Sequence, residues 1–132
     1  MKTLGFLGID IGTQGLSVIF TNSVLKILVS GEGSYEMVPG LDPECYEQQP
    51  SDWESALKNA MANLRKKISS LQIDMEVLAI GISGQMHGEV LATEDGELVG
   101  PARLWCDGRN EIEGEELTKR LGVKCPKRMT AV

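Results

Sequence analysis

Hydrophobic positions come in two unbroken runs, one helical stripe and a set of short segments between turn signals. Residues 3–11 are almost continuously apolar, and the run closes on Asp10 and Gly12. An unbroken apolar run of that length predicts a buried central strand. Gly12-Thr13-Gln14-Gly15 reads as a tight turn into a second strand over 16–21, and Asn22-Ser23 as a turn into a third over 24–30. The three predict an antiparallel meander. Gly31, Gly33, Pro39, Gly40, Pro43 and Pro50 punctuate residues 31–50, which read as a long, partly ordered loop.

The period then changes. Trp53, Leu57, Ala60, Leu64, Ile68 and Leu71 recur at spacings of three and four, with Lys58, Arg65 and Lys66 off the stripe. This predicts an amphipathic helix over 51–71, opened by the capping box Ser51-Asp52-Trp53-Glu54. Residues 77–82 form the second apolar run, a buried strand parallel to the first across the helical crossover. Residues 84–88 make a loop. Residues 88–93 and 97–100 flank an Asp95-Gly96 hairpin signal, and 102–105 are short and extended. Asn110 opens a last helix with Glu113 at the capping-box position, and Gly122 closes it. Lys119 and Arg120 sit in its last turn, where the helix dipole favours cations. The order predicts an α/β or α+β fold with a mixed sheet. Residues 123–132 carry no closing element, so the chain is expected to stop between elements.

Composition narrows the function classes. The chain has 132 residues, 42% hydrophobic and 24% charged, which suits one soluble domain. A net charge of -6 disfavours a broad nucleic-acid or acidic-membrane surface. No segment approaches the roughly 18 apolar residues of a membrane span, and the N-terminal run reads as a strand and not as a signal peptide. Cys45, Cys106 and Cys125 are odd in number and widely spaced, and His87 is the single histidine. Reduced thiols in a cytoplasmic protein are expected, with neither a disulfide framework nor a structural zinc site.

Three strand-ending loops carry candidate chemistry. In Gly8-Ile9-Asp10-Ile11-Gly12-Thr13-Gln14-Gly15, a carboxylate at the end of a buried strand calls for a hydrogen bond or a cation. The glycines can present backbone N–H groups to an anion, and Thr13 and Gln14 add donors. A carboxylate beside an amide cradle suits a Mg-nucleotide; the bland alternative is an Asp that caps a β-turn. In Gly84-Gln85-Met86-His87-Gly88, Gln85 and His87 can hydrogen-bond polyol hydroxyls and Met86 can pack on the carbon face. The alternative is a structural loop with one satisfied histidine. In Trp105-Cys106-Asp107-Gly108-Arg109, Trp105 offers a stacking face and Asp107 a hydroxyl acceptor. Here the alternative is a core Trp with an Asp–Arg pair that fixes the turn before the last helix.

Taken in order, G-I-D-I-G-T-Q-G, Pro50 with Trp53, I-S-G-Q-M-H-G and L-W-C-D-G-R resemble the FGGY carbohydrate kinases over about residues 3–110. Within that family the Gln85-Met86-His87 loop looks most like the xylulokinases. The first motif is shared with the wider actin, hexokinase and heat-shock ATPase superfamily. The resemblance implies the first half of a ribonuclease-H-like kinase, which transfers the γ-phosphoryl of ATP to a sugar hydroxyl with Mg. Asp10 would position Mg and phosphate, and Gly12, Thr13 and Gln14 would form the phosphate loop. Gln85, Met86, His87, Trp105 and Asp107 would line the sugar pocket, and D-xylulose would be the substrate.

In such kinases the general-base aspartate and the adenine-binding second domain lie beyond residue 132. Residues 1–132 are then expected to be an incomplete N-terminal domain, inactive alone. A non-catalytic sugar-binding or regulatory module is the alternative, and a superfamily ATPase that shares only the Asp10 loop is a third. Oligomeric state stays open, a homodimer among the options.

Overall fold

A computed structural model describes residues 2–122. Residues 123–132, where no closing element is expected, lie outside the described residues. The chain divides into two compact units, Met1–Glu36 with Ser51–Gln85, and Met37–Pro50 with Met86–Val132.

The first unit is a four-stranded mixed sheet with one helix against it. Strands β1 (Thr3–Ile11), β2 (Gly15–Asn22) and β3 (Ile27–Ser34) form the expected antiparallel meander. After the short strand β4 (Glu47–Gln48), helix α1 (Pro50–Ser70) leads to β5 (Met75–Gly84), which extends the second apolar run by two residues at each end and pairs with β1 in parallel. Its Val77, Leu78, Ile80 and Ile82 are exposed and not buried as expected. The sheet order is β3-β2-β1-β5.

Cross-strand partners share a face, so the pairings sort the side chains. Leu7, Ile9 and Ile11 of β1 lie opposite Phe20, Val18 and Leu16 of β2. These face α1, whose Ala56, Ala60 and Leu64 recur at every fourth residue and are buried. Phe20, Val18 and Leu64 are fully enclosed, and each such burial contributes about 1.5–3 kcal/mol. On β3 the same face carries Gly31 and Gly33, opposite Val18 and Leu16. A Cβ on Gly31 would sit 2.1 Å from the Ala60 carbonyl oxygen, and one on Gly33 would sit 2.3 Å from that of Ala56. The missing side chains let the helix backbone settle directly on the strand. Lys67 Nζ donates to the Ser30 carbonyl oxygen at 2.6 Å, tying the end of α1 to the same strand.

The second unit has little regular structure. Strand β4 (Glu47–Gln48) pairs antiparallel with β6 (Ala102–Arg103), and α2 (Glu111–Leu121) follows. Arg103 also bridges Glu89 on its other side, through Glu89 N–H to the Arg103 carbonyl at 2.8 Å and the return bond at 3.1 Å. Gln48, Ala102 and Leu104 are buried there.

Several expectations need correction. Residues 31–34 continue β3, and 47–48 are strand, so 31–50 is not one loop. The third strand begins at Ile27, because the Asn22 side chain accepts from the backbone N–H groups of Val24 and Lys26 and organises a turn. The capping box of α1 does not form. Pro50 already occupies the helix, a position that suits its fixed φ and missing N–H, and Glu54 pairs with Lys58 instead. Leu71 falls past the helix end and is exposed. The expected 88–100 hairpin keeps only short arms around its turn: an antiparallel Ala92–Leu98 bridge, the Thr93 N–H on the Glu97 carbonyl at 2.8 Å and the Val99 N–H on the Leu91 carbonyl at 2.9 Å, with Gly96 at φ 84°. Asn110 precedes α2 without a side-chain capping bond, whereas Gly122 closes it in the left-handed conformation, its N–H on the Thr118 carbonyl. Among the described residues no helix is long and apolar enough to cross a membrane.

Candidate functional site

The two units divide the candidate residues. Asp10, Gly12, Thr13, Gln14 and Gln85 belong to the first unit; Met86, His87, Trp105 and Asp107 belong to the second.

In the first unit Asp10 lies on the sheet face opposite α1, between Ser17 of β2 and Ser83 of β5. The three lie along an open hollow of about 410 Å³ that Gly8, Ile19 and Gly81 also bound. Asp10 is exposed. The burial expected to demand a partner is therefore absent, and water suffices to solvate the carboxylate. The turn after it is closed by the Gly12 N–H on the Gly15 carbonyl at 2.9 Å. Gln85 extends β5, its N–H on the Ile11 carbonyl at 2.8 Å, and its side-chain oxygen accepts from the Thr13 hydroxyl at 3.4 Å. Gln85 thus stands with the Gly12–Gly15 turn.

That turn has a support with no counterpart in the sequence reading. Tyr35 follows β3 and is buried, and its hydroxyl lies against the carbonyl oxygens of Gly12 and Gly15. Burial, reinforced by the charge of Asp10, raises the Tyr35 pKa and keeps the hydroxyl a donor. Only the β2–β3 register, which pairs Gly15 with Ser34, brings Tyr35 here.

Among the described residues no group of three or more His, Cys, Asp or Glu side chains could hold a metal by itself. The donor set at Asp10 suits Mg²⁺ in its other mode, in which one or two carboxylates share the ion with waters and substrate phosphates.

In the second unit His87, Trp105, Asp107 and Arg109 line one cavity of about 120 Å³, with Glu89 and Arg103. Met86 is exposed and is not part of that lining. His87 has φ 60°, the left-handed region that a non-glycine residue rarely occupies. Such backbone costs about 1–3 kcal/mol and gathers at functional sites.

Trp105 and Asp107 behave differently. Trp105 is 48% exposed, so it is not a core Trp. The Asp107 side chain is 6% exposed and its carboxylate is crowded with protein donors. Its Oδ2 accepts from the Tyr46 N–H at 2.8 Å and Arg109 Nη2 at 2.7 Å, and its Oδ1 from Arg109 Nε at 2.8 Å and the Arg109 N–H at 3.2 Å. Burial pushes the Asp107 pKa up, but the bonds from Arg109 and Tyr46 outweigh it and leave the value below the usual carboxylate one. The Asp107–Arg109 pair therefore fixes the turn before α2 while Trp105 stays outward.

Residues 6–131 match the family model described as "FGGY family of carbohydrate kinases, N-terminal domain". This chain belongs to that family. It is 36% identical over 120 residues to a xylulose kinase from Haemophilus influenzae, covering 89% of this chain and 24% of that protein. Among solved structures, a xyloylose kinase from Brucella ovis superposes with a TM-score of 0.80 at 28% identity, over 89% of this chain and 24% of that one. A glycerol kinase from Plasmodium falciparum with ADP superposes with a TM-score of 0.74 at 25% identity, over 90% and 24%. The chain thus spans about a quarter of the length of the curated relatives it matches. The α/β fold with a mixed sheet, expected as ribonuclease-H-like of the actin and hexokinase type, agrees with these neighbours.

Proposed function

We propose that this chain is part of an ATP-dependent carbohydrate kinase that transfers the γ-phosphoryl group of ATP to a sugar hydroxyl, converting D-xylulose to D-xylulose 5-phosphate. The observation that carries this reading is Asp10, exposed at a strand end immediately before the Gly12–Gly15 turn. A lone carboxylate there can hold hydrated Mg²⁺ while backbone N–H groups with Thr13 and Gln14 meet phosphate oxygens. Phosphoryl transfer asks for little more from this part of a kinase, because its catalysis is largely positioning and charge neutralisation.

The second unit supplies the sugar side of the reading. Trp105 offers an aromatic face, and His87 can exchange hydrogen bonds with hydroxyls. Gln85 and Met86 precede His87 in the loop. Asp107 serves the pocket by holding the Trp105 turn. The relatives named xylulose kinase support the choice of pentulose, and the glycerol kinase neighbour names the polyol that competes with it. In this reading the general base and the adenine site come from outside residues 1–132, so this segment alone turns over no ATP. Mg-ATP as co-substrate and reduced cysteines fit the cytoplasm.

A phosphorylation screen of the full-length protein with Mg-ATP and a panel of pentuloses, glycerol and gluconate tests the assignment. D-Xylulose is expected to give the highest kcat/KM. Preference for glycerol or gluconate overturns the substrate, and no acceptor in the panel overturns the kinase reading.

A further inference from the structure

The cavity of the second unit is walled by residues from neighbouring strands. His87 stands two residues before Glu89 and Trp105 two residues after Arg103, and Glu89 and Arg103 bridge each other. On its other side Arg103 pairs with Glu47 of β4. The wall is therefore one ribbon of three extended segments, and its geometry depends on how the 104–110 turn docks against residues 44–48.

That docking is dense. The Leu104 N–H donates to the Tyr46 carbonyl at 2.9 Å, the Gly108 N–H to the Glu44 carbonyl at 2.8 Å, and the Tyr46 N–H to the Asp107 carboxylate. Arg109 closes it. Its Nη2 reaches Asp107 Oδ2 at 2.7 Å and Glu47 Oε1 at 2.8 Å, so one guanidinium nitrogen joins the turn to β4. The side chains of Arg109, Glu47 and Asp107 are 30%, 12% and 6% exposed. Partial burial strengthens charge-assisted hydrogen bonds and makes an unpartnered member costly. The planar guanidinium matters, since an ammonium cannot span two carboxylates with the same fixed fork.

We propose that Arg109 is a positioning residue of the sugar pocket, clasping Asp107 to Glu47 so that Trp105 and His87 are held at the spacing a pentulose needs. This rests on the kinase reading above. Arg109 then acts on sugar affinity through the turn, and nucleotide affinity is indifferent to it.

The test is steady-state kinetics of the full-length protein with D-xylulose and Mg-ATP, with thermal unfolding of each variant alongside. Arg109→Gln is expected to raise the sugar KM about tenfold, which corresponds to about 1.4 kcal/mol, and to leave the ATP KM within twofold. Guanidinium added to Arg109→Ala is expected to restore much of the sugar KM. Glu47→Gln, which leaves the Asp107–Arg109 pair intact, is expected to raise the sugar KM by a smaller factor. It also serves as the second variant should the Arg109 substitutions not fold. A folded Arg109→Gln protein with an unchanged sugar KM overturns the inference and leaves the kinase reading standing, and so does an unchanged Glu47→Gln KM where only that variant folds. A wild-type protein that phosphorylates no sugar overturns both.

Discussion

The Tyr35 hydroxyl donates to the carbonyl oxygen of Gly12, the first residue of the turn that follows Asp10. Tyr35 also approaches the Gly15 carbonyl at 3.0 Å, so a single buried side chain at the end of β3 holds both ends of that turn. A carbonyl fixed from behind leaves less freedom for the N–H groups on the other side of each peptide. Anion binding by backbone amides depends on that order.

Replacing Tyr35 by Phe removes the hydroxyl and keeps the ring. One lost hydrogen bond costs about 1 kcal/mol of stability. The larger expected effect is a several-fold rise in the ATP KM with the sugar KM unchanged. Kinetics of the full-length protein at varied Mg-ATP reads this directly; an unchanged ATP KM would remove Tyr35 from the nucleotide side.

Gly31 and Gly33 test the packing. A Cβ at Gly31 would lie 2.1 Å from the Ala60 carbonyl oxygen. Backbone cannot yield as a side-chain tip does, so Gly31→Ala is expected to cost about 3 kcal/mol, the upper part of the usual range for overpacking. Thermal unfolding should show a drop of roughly 10 °C. An unchanged midpoint would mean that α1 does not sit on β3 as described.

These glycines also show where sequence and structure part. Locally, a glycine signals a turn, and Gly31 and Gly33 with nearby prolines read as the start of a loop. Their role is tertiary: they admit a helix that begins nearly twenty residues later, which no local pattern records. The Asp10 turn and both long strands were legible as unbroken apolar runs of strand length. The burial inferred from the second run was not: Val77, Leu78, Ile80 and Ile82 of β5 are exposed, because α1 packs on β1, β2 and β3. The α1 stripe was legible through its period, though its cap was not, because Pro50 takes the first helical position and leaves Ser51 inside the helix. At the site, the Trp105–Arg109 segment offered two readings; Asp107 pairs with Arg109 as the turn-fixing one required, whereas Trp105 is exposed and not the core Trp of that reading. Tyr35 and Glu47 carried no signal, since only strand register and long-range docking bring them to Gly12 and Arg109.

His87 sets stability against function. Its φ of 60° costs a non-glycine residue energy that glycine does not incur. His87→Gly is therefore expected to leave the unfolding midpoint unchanged or slightly raised, while the sugar KM rises at least tenfold, a loss of about 1.4 kcal/mol. Loss of stability with retained affinity would place His87 among the structural residues.

The acid limb of stability should carry a mark of Asp107. Its folded pKa lies below the ordinary value of 3.8. The stabilisation is then fully present above the unfolded value and is lost as pH falls through the lower folded one. Denaturant unfolding below pH 4 should show Asp107→Asn less pH-sensitive than the wild type; parallel profiles would contradict the buried pair.

In the proposed kinase, Asp10 serves phosphoryl transfer to a sugar. The most direct measurement is ³¹P NMR of the full-length protein with Mg-ATP and D-xylulose, wild type beside Asp10→Ala. Asp10 is exposed, so the substitution should leave folding within about 0.5 kcal/mol of the wild type. The wild type is expected to build a phosphomonoester signal coupled to the C5 methylene of the sugar, and the variant to lose that turnover at least a hundredfold. Normal sugar phosphorylation by Asp10→Ala, or a wild type that releases only inorganic phosphate, would contradict it.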